Sequence, residues 1–194
     1  DRQRTVAGRV RAFLGKLGET ADHREALIHT SRPFLACFPK IPGQEPAATR
    51  AENMARKQFD LIVFDWDGTL MDSTATIVKC IQAAARDLGL PVPHDDAASH
   101  VIGLGLFEAM QAVMPGVDPA IYPRMVERYR YHFLSKDHDL VLFDGVPAML
   151  AELSQAGYFL AVATGKSRVG LNRALNAVGL LSLFDATRCA DETF

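Results

Sequence analysis

The residues best placed to do chemistry are Asp65 and Asp67, which flank Trp66 at the end of the apolar run Leu61-Ile62-Val63-Phe64. That run reads as a buried strand, and in open α/β sheets ligands bind beyond the carboxyl ends of the strands. Two carboxylates this close can converge on one site once the chain leaves the sheet. Gly68 follows, and lets the backbone turn sharply and approach a ligand. Paired carboxylates repel each other, and a divalent cation or a shared proton relieves that repulsion. One aspartate can act as a nucleophile and form an acyl-phosphate. The other can protonate the leaving group and then deprotonate water. Mg²⁺ is the natural metal for oxygen ligands that share it with a phosphate.

The elements around this pair follow from hydrophobic periodicity. Ile77, Ile81, Ala84 and Leu88 form one apolar face and predict a helix over residues 73–88, ended by Pro91 and Pro93. Further helices are expected over 106–113 and 119–134. Asp144-Gly145 marks a turn, and Pro147 suits the start of a helix that turns Leu150 and Leu153 inward and closes at Gly157. Residues 158–163 form a continuous apolar run, best read as a buried parallel strand. Leu171, Leu175 and Val178 predict a helix over 169–178 with Gly179 as its cap, and 186–189 can form a third strand. Strands alternating with helices indicate a parallel α/β sheet, and the insert of about 70 residues after the first strand predicts a small helical subdomain.

Composition narrows the function classes. The 194 residues are 48% hydrophobic and 23% charged, as expected for a globular chain and not for a disordered or fibrous one. No apolar run reaches the length of a membrane span, and the first residues lead into no signal core, so a cytoplasmic protein is expected. Cys37, Cys80 and Cys189 are too widely spaced for a zinc site and read as reduced, buried thiols. The six histidines show no metal spacing; His94, His100, His132 and His138 read as polar surface residues. Residues 1–58 carry 11 Lys/Arg against 6 Asp/Glu, whereas residues 59–194 carry 10 against 17. The acidic balance of the second segment disfavours nucleic acid as a substrate. In the first segment Val6, Val10, Phe13, Leu14 and Leu17 predict a basic amphipathic helix, followed by a linker holding Pro33, Pro39, Pro42 and Pro46. Met54, just before the first strand, is expected to be the natural start, with 1–53 an upstream extension. Gly165-Lys166-Ser167 mimics the end of a phosphate-binding P-loop, but the first glycine that loop requires is replaced by Leu160. Gly103-Leu104-Gly105 follows no strand, so a dinucleotide-binding turn is unsupported.

Residues 64–73, Phe-Asp-Trp-Asp-Gly-Thr-Leu-Met-Asp-Ser, resemble the first motif of the haloacid dehalogenase superfamily, and specifically its capped, phosphoglycolate phosphatase-like branch. The resemblance implies a Rossmann-like parallel α/β core with an inserted helical cap. It implies that Asp65 is the nucleophile and a Mg²⁺ ligand. Asp67 becomes the acid/base and offers the metal its backbone carbonyl, which favours phosphoryl transfer over dehalogenation. Ala161-Val-Ala-Thr164-Gly165 resembles the second motif, in which the Thr164 hydroxyl and the Gly165 amide hold the phosphoryl group. Gly103–Leu106 falls where related caps contact substrate, although a turn between helices explains it equally well. The third-motif lysine and the acidic pair of the fourth motif find no match. Lys166 follows the second motif too closely for the third-motif role but can assist phosphate binding, and Asp191 and Glu192 can reach the site without fitting the fourth motif's spacing. The sheet is expected to be incomplete, and the chain to be a C-terminally truncated piece of a longer enzyme.

The resulting division is 1–53 extension and linker, 54–74 with 142–194 core, and 75–141 cap. The expected activity is Mg²⁺-dependent hydrolysis of a small phosphorylated metabolite, phosphoglycolate first and a sugar phosphate second. The alternatives are a β-phosphoglucomutase-like phosphotransferase and a non-catalytic protein whose basic N-terminal helix binds a partner. Oligomeric state is left open.

Overall fold

A computed structural model describes residues 59–192. The expected N-terminal amphipathic helix, the proline-rich linker, Met54 and Cys37 lie outside the described residues. Three strands, β1 (Leu61–Phe64), β2 (Phe159–Thr164) and β3 (Ala186–Cys189), form a parallel sheet in the order β1-β2-β3. Phe64 lies beside Val162, and Thr164 beside Cys189. The carboxyl ends of β1 and β2 are therefore neighbours, two residues out of step.

Six α-helices accompany the sheet: α1 (Thr74–Asp87), α2 (Asp95–His100), α3 (Leu106–Val113), α4 (Tyr122–Leu134), α5 (Val146–Gln155) and α6 (Arg168–Ala177). The crossovers through α5 and α6 join strands laid down in order, and right-handed crossovers in that order put both helices on one face. Side-chain alternation agrees. Ile62, Phe64, Leu160 and Val162 pack with Leu150 of α5 and Leu171 and Leu175 of α6, around the fully buried Trp66. Burying each such aliphatic side chain is worth about 1.5–3 kcal/mol. The opposite face presents Leu61, Val63, Ala161 and Ala186. Among the described residues, no helix packs into that cluster.

The first four helices form a separate buried cluster. Ile77, Cys80 and Ile81 of α1 meet Met125 and Phe133 of α4, with Ala98 of α2 and Met110 of α3 filling the remainder. The segments entering and leaving this helical insert pair with one another. Asp72 donates its amide to Val141 (2.9 Å), Phe143 donates to Leu70 (3.0 Å), and Met71 bridges Leu142 in antiparallel fashion. Two adjacent extended segments thus join the insert to the sheet.

Sequence periodicity and structure agree closely for α1, α3, α4, α5 and α6. Helix α2 is the element that periodicity did not show, because Asp-Asp-Ala-Ala-Ser-His buries only Ala98 and carries no apolar stripe. Among the described residues, no helix is long and apolar enough to cross a membrane.

Candidate functional site

The chain leaves β1 in a tight loop closed on Trp66, whose carbonyl accepts from the amides of Leu70 and Met71 at 3.0 Å each. Gly68 adopts φ +77°, and a Cβ there would lie 2.9 Å from the Thr74 hydroxyl. Both the left-handed backbone and the close neighbour favour glycine. The loop leaves Asp65 and Asp67 partly buried beyond the strand end. One Asp65 carboxylate oxygen accepts from the Trp66 amide at 2.7 Å.

Asp67 has two side-chain partners of different origin. Ser73 donates its hydroxyl to Oδ1 at 2.8 Å, and Lys166 donates its ammonium to Oδ2 at 2.9 Å and to Oδ1 at 3.2 Å. Ser73 occupies the N-cap position of α1 yet makes no side-chain cap bond; its fully buried hydroxyl is committed to Asp67 instead. An N-cap serine ordinarily contributes about 1 kcal/mol to a helix. Local capping has been given up for a bond across the site.

On the neighbouring strand end, Thr164 Oγ1 accepts from the Lys166 amide at 3.2 Å. Gly165 lies flush against the insert. A Cβ there would collide with the Leu104 carbonyl oxygen and lie 2.6 Å from that of Gly103. The turn Gly103-Leu104-Gly105 thus links α2 to α3 and also seats its backbone on the end of β2. The insert reaches the site a second time through α4. Phe133 places its ring centroid 4.7 Å from the Lys166 ammonium and stacks on Tyr129 at 5.6 Å. Burial pushes the Tyr129 phenol well above its usual range, and the negative charge of Asp67 adds to that shift.

Asp191 and Glu192, which sequence alone allowed to reach the aspartates, are engaged elsewhere. Asp191 accepts from the amide of Arg168 at the start of α6 (2.9 Å), and Glu192 forms a two-pronged pair with the Arg168 guanidinium at 2.6 and 2.8 Å. Among the described residues, no group of three His, Cys, Asp or Glu side chains is arranged to hold a metal. The donors at the end of β1 are all oxygens, from the Asp65 carboxylate and from Asp67. Such a set suits Mg²⁺, which keeps several waters and needs only one or two carboxylates beside a substrate phosphate.

Sequence reasoning brought out Asp65, Asp67, Thr164 and Gly165, and the structure puts the four at two adjoining strand ends. It missed the grip of Lys166 and Ser73 on Asp67, and the approach of Phe133. A serine at an N-cap position was a usable signal for Ser73; a lysine 99 residues from its partner offered none.

A parallel α/β sheet with a helical insert after its first strand, and an Asp-x-Asp loop at that strand's carboxyl end, defines a class of proteins. The chain belongs to one family within it: the model of the haloacid dehalogenase-like hydrolases matches residues 62–194. Over 126 residues the chain is 35% identical to the Tyrosine-protein kinase PtkA of Mycobacterium tuberculosis, covering 64% of this chain and 42% of the relative. It is 33% identical to the Phosphoglycolate phosphatase of Agrobacterium fabrum over 141 residues, covering 68% of this chain and 58% of the relative. The crystal structure of a predicted phosphatase from Clostridium acetobutylicum superposes with a TM-score of 0.61 at 26% identity, covering 70% of this chain and 64% of that one. The chain thus spans about half the length of the curated relatives it matches.

Proposed function

We propose that the protein carrying this chain is a Mg²⁺-dependent phosphatase of small phosphorylated metabolites, with phosphoglycolate as the first candidate substrate. The observation that carries this reading is the adjacency of the Asp65/Asp67 loop on β1 and the Thr164-Gly165 turn on β2 at one end of the sheet. Likeness to a relative named phosphoglycolate phosphatase supports the choice of substrate.

In this reading a carboxylate oxygen of Asp65 attacks phosphorus and the ester P–O bond breaks. Asp67 gives its proton to the departing oxygen, leaving an aspartyl-phosphate on Asp65. Water then attacks phosphorus, Asp67 takes the proton, and inorganic phosphate leaves with Asp65 restored. The Thr164 hydroxyl and the Gly165 amide are the fixed donors for the phosphoryl oxygens. The Asp65 carboxylate and the Asp67 carbonyl would hold Mg²⁺, which when bound would supply positive charge against the phosphoryl group. The helical insert, residues 75–141, is the cap that shuts water from the site, hinged on the paired segments around Met71 and Leu142.

The test is Asp65→Asn in the full-length protein, assayed with phosphoglycolate and Mg²⁺. Turnover should fall by at least about 1,000-fold, and acid-quenched wild type should yield a phosphorylated peptide containing residue 65. Unchanged turnover in that variant refutes the nucleophile assignment. The likeness to a relative named as a tyrosine kinase makes transfer to a hydroxyl acceptor the second reading. Recovery of the phosphoryl group on an added hydroxyl compound, in place of free phosphate, would favour it.

A further inference from the structure

Lys166 carries a charge that the reaction outlined above does not use. Its main chain is fixed at both polar groups: the amide donates to Thr164 Oγ1, and the carbonyl accepts from the Ala190 amide at 3.1 Å. The side chain crosses from the end of β2 to the loop after β1, where the ammonium donates to Oδ2 of Asp67 at 2.9 Å and to Oδ1 at 3.2 Å. The two side chains are only 13% and 11% exposed, and the Phe133 ring lies 4.7 Å from the ammonium. Opposite charges attract strongly where so little water screens them. While this pair stands, Asp67 is held as a carboxylate, which can accept a proton but cannot give one.

The place of the ammonium indicates what can draw it away. In-line transfer puts the attacking Asp65 and the leaving oxygen on opposite sides of phosphorus, so Asp67 works on the leaving-group side. An ammonium bonded to both Asp67 oxygens lies on that side too, within about 6 Å of the scissile oxygen once Asp67 reaches that oxygen by a hydrogen bond. A carboxylate on the carbon attached to the scissile oxygen carries its own oxygens about 3 Å from that atom. One further charge-assisted hydrogen bond of about 2.8 Å then reaches the ammonium.

We propose that Lys166 reads the leaving group: its ammonium passes from Asp67 to a carboxylate on the carbon attached to the scissile oxygen, and so selects phosphate monoesters of 2-hydroxy acids. The exchange moves one cation between two carboxylates, and no covalent bond is made or broken. It also removes the charge that kept Asp67 ionised, so that Asp67 can bring the proton the departing oxygen needs. An ester with a neutral leaving group leaves the ammonium on Asp67 and reacts slowly. Lys166 has this task only if Asp65 and Asp67 act as in the proposed function, on which this inference rests.

The experiment uses the full-length protein with Mg²⁺ and two substrates, phosphoglycolate and 2-hydroxyethyl phosphate, in which a neutral CH₂OH group replaces the carboxylate. The quantity read is the ratio of their kcat/KM values, in which any loss of folded protein cancels. Wild type should favour phosphoglycolate by about tenfold or more. Lys166→Met should cut that ratio by about tenfold or more, and Lys166→Arg, which keeps the charge, should hold it closer to wild type than Lys166→Met does.

A smaller preference in wild type overturns the proposal, and so does a smaller change of the ratio in Lys166→Met. An equal loss on both substrates, partial or complete, makes Lys166 a ligand of the phosphoryl group or a structural residue, and overturns it as well. Failure of the underlying reading is distinct: turnover that survives Asp65→Asn defeats the nucleophile, whereas an inactive Asp65→Asn beside an unaltered ratio in Lys166→Met defeats only the role of Lys166.

Discussion

Replacing Gly165 with alanine tests directly whether the insert is seated on the end of β2. Gly165 does not adopt a positive φ, so alanine meets no backbone penalty there, and the cost is steric alone. The new Cβ would collide with the Leu104 carbonyl oxygen, lie 2.6 Å from the Gly103 oxygen and 2.7 Å from the Leu104 carbonyl carbon. Comfortable contact needs about 3.5 Å, so the 103–104 turn must retreat by roughly 1 Å. These are backbone atoms, and no flexible side chain can swing aside. Overpacking of this kind costs about 1–3 kcal/mol, and at about 2–4 °C per kcal/mol the melting temperature should fall by about 2–12 °C. A shift of about 1 Å at the phosphoryl-binding turn should also lower kcat/KM on the order of 100-fold. Gly179→Ala serves as the control. Its φ of +71° makes alanine unfavourable by about 1–2 kcal/mol, yet nothing lies within 4 Å of the added carbon. Both variants should melt lower, but only Gly165→Ala should lose turnover and speed amide exchange in residues 101–106. A Gly165→Ala protein that melts within about 1 °C of wild type, with unchanged exchange in that turn, refutes the packing of the insert on Gly165.

Two further predictions concern groups away from Asp65 and Asp67. The Asp87 carboxyl is held below the usual carboxylate range, first by its hydrogen bond with His132 and then by Arg128, both on α4. Its folded value lies below its unfolded one, so its contribution to stability is present above the unfolded value and is lost as pH falls through the folded one. Asp87→Asn should therefore melt below wild type near about pH 7, and the two melting curves should converge towards about pH 2; a constant difference across that range refutes the linkage. Burial pushes the Cys189 thiol up to about 11 and raises that of Cys80. Neither should be alkylated by iodoacetamide near about pH 8 until the protein is unfolded in urea, and peptide-resolved modification of Cys189 in the native protein would contradict its burial.

Where the sequence was informative, the signal was local. The apolar run Leu61 to Phe64 marks one strand with apolar neighbours on both faces, and the i, i+4 spacing of Ile77 and Ile81 marks the buried face of one helix. The Asp-x-Asp-Gly run was legible because its residues are consecutive, and the glycine's positive φ follows from the turn those residues must make. The two motifs met because β2 pairs in parallel with β1, so that their carboxyl ends lie side by side. Helix α2 was not legible, since one buried alanine leaves no period to detect.

The sequence alone therefore determined the parallel α/β class, the helical insert, and the four residues at two strand ends. Tertiary structure decided what those residues touch. Lys166 and Asp67 are 99 positions apart, and nothing in either local pattern specifies that their side chains meet. Ser73 reads only as the first residue of a helix, and the folded loop is what brings its hydroxyl within 2.8 Å of Asp67. Gly165 reads as part of a phosphate turn until the Gly103-Leu104 backbone is found against it. Phe133 is a core residue of α4, and its ring lies over the Lys166 ammonium because the insert packs on the end of the sheet. The physical reason is the same in each case. Periodicity records which face of an element avoids water, whereas contacts between elements depend on how separately formed faces pack, and that geometry is set by the whole chain at once.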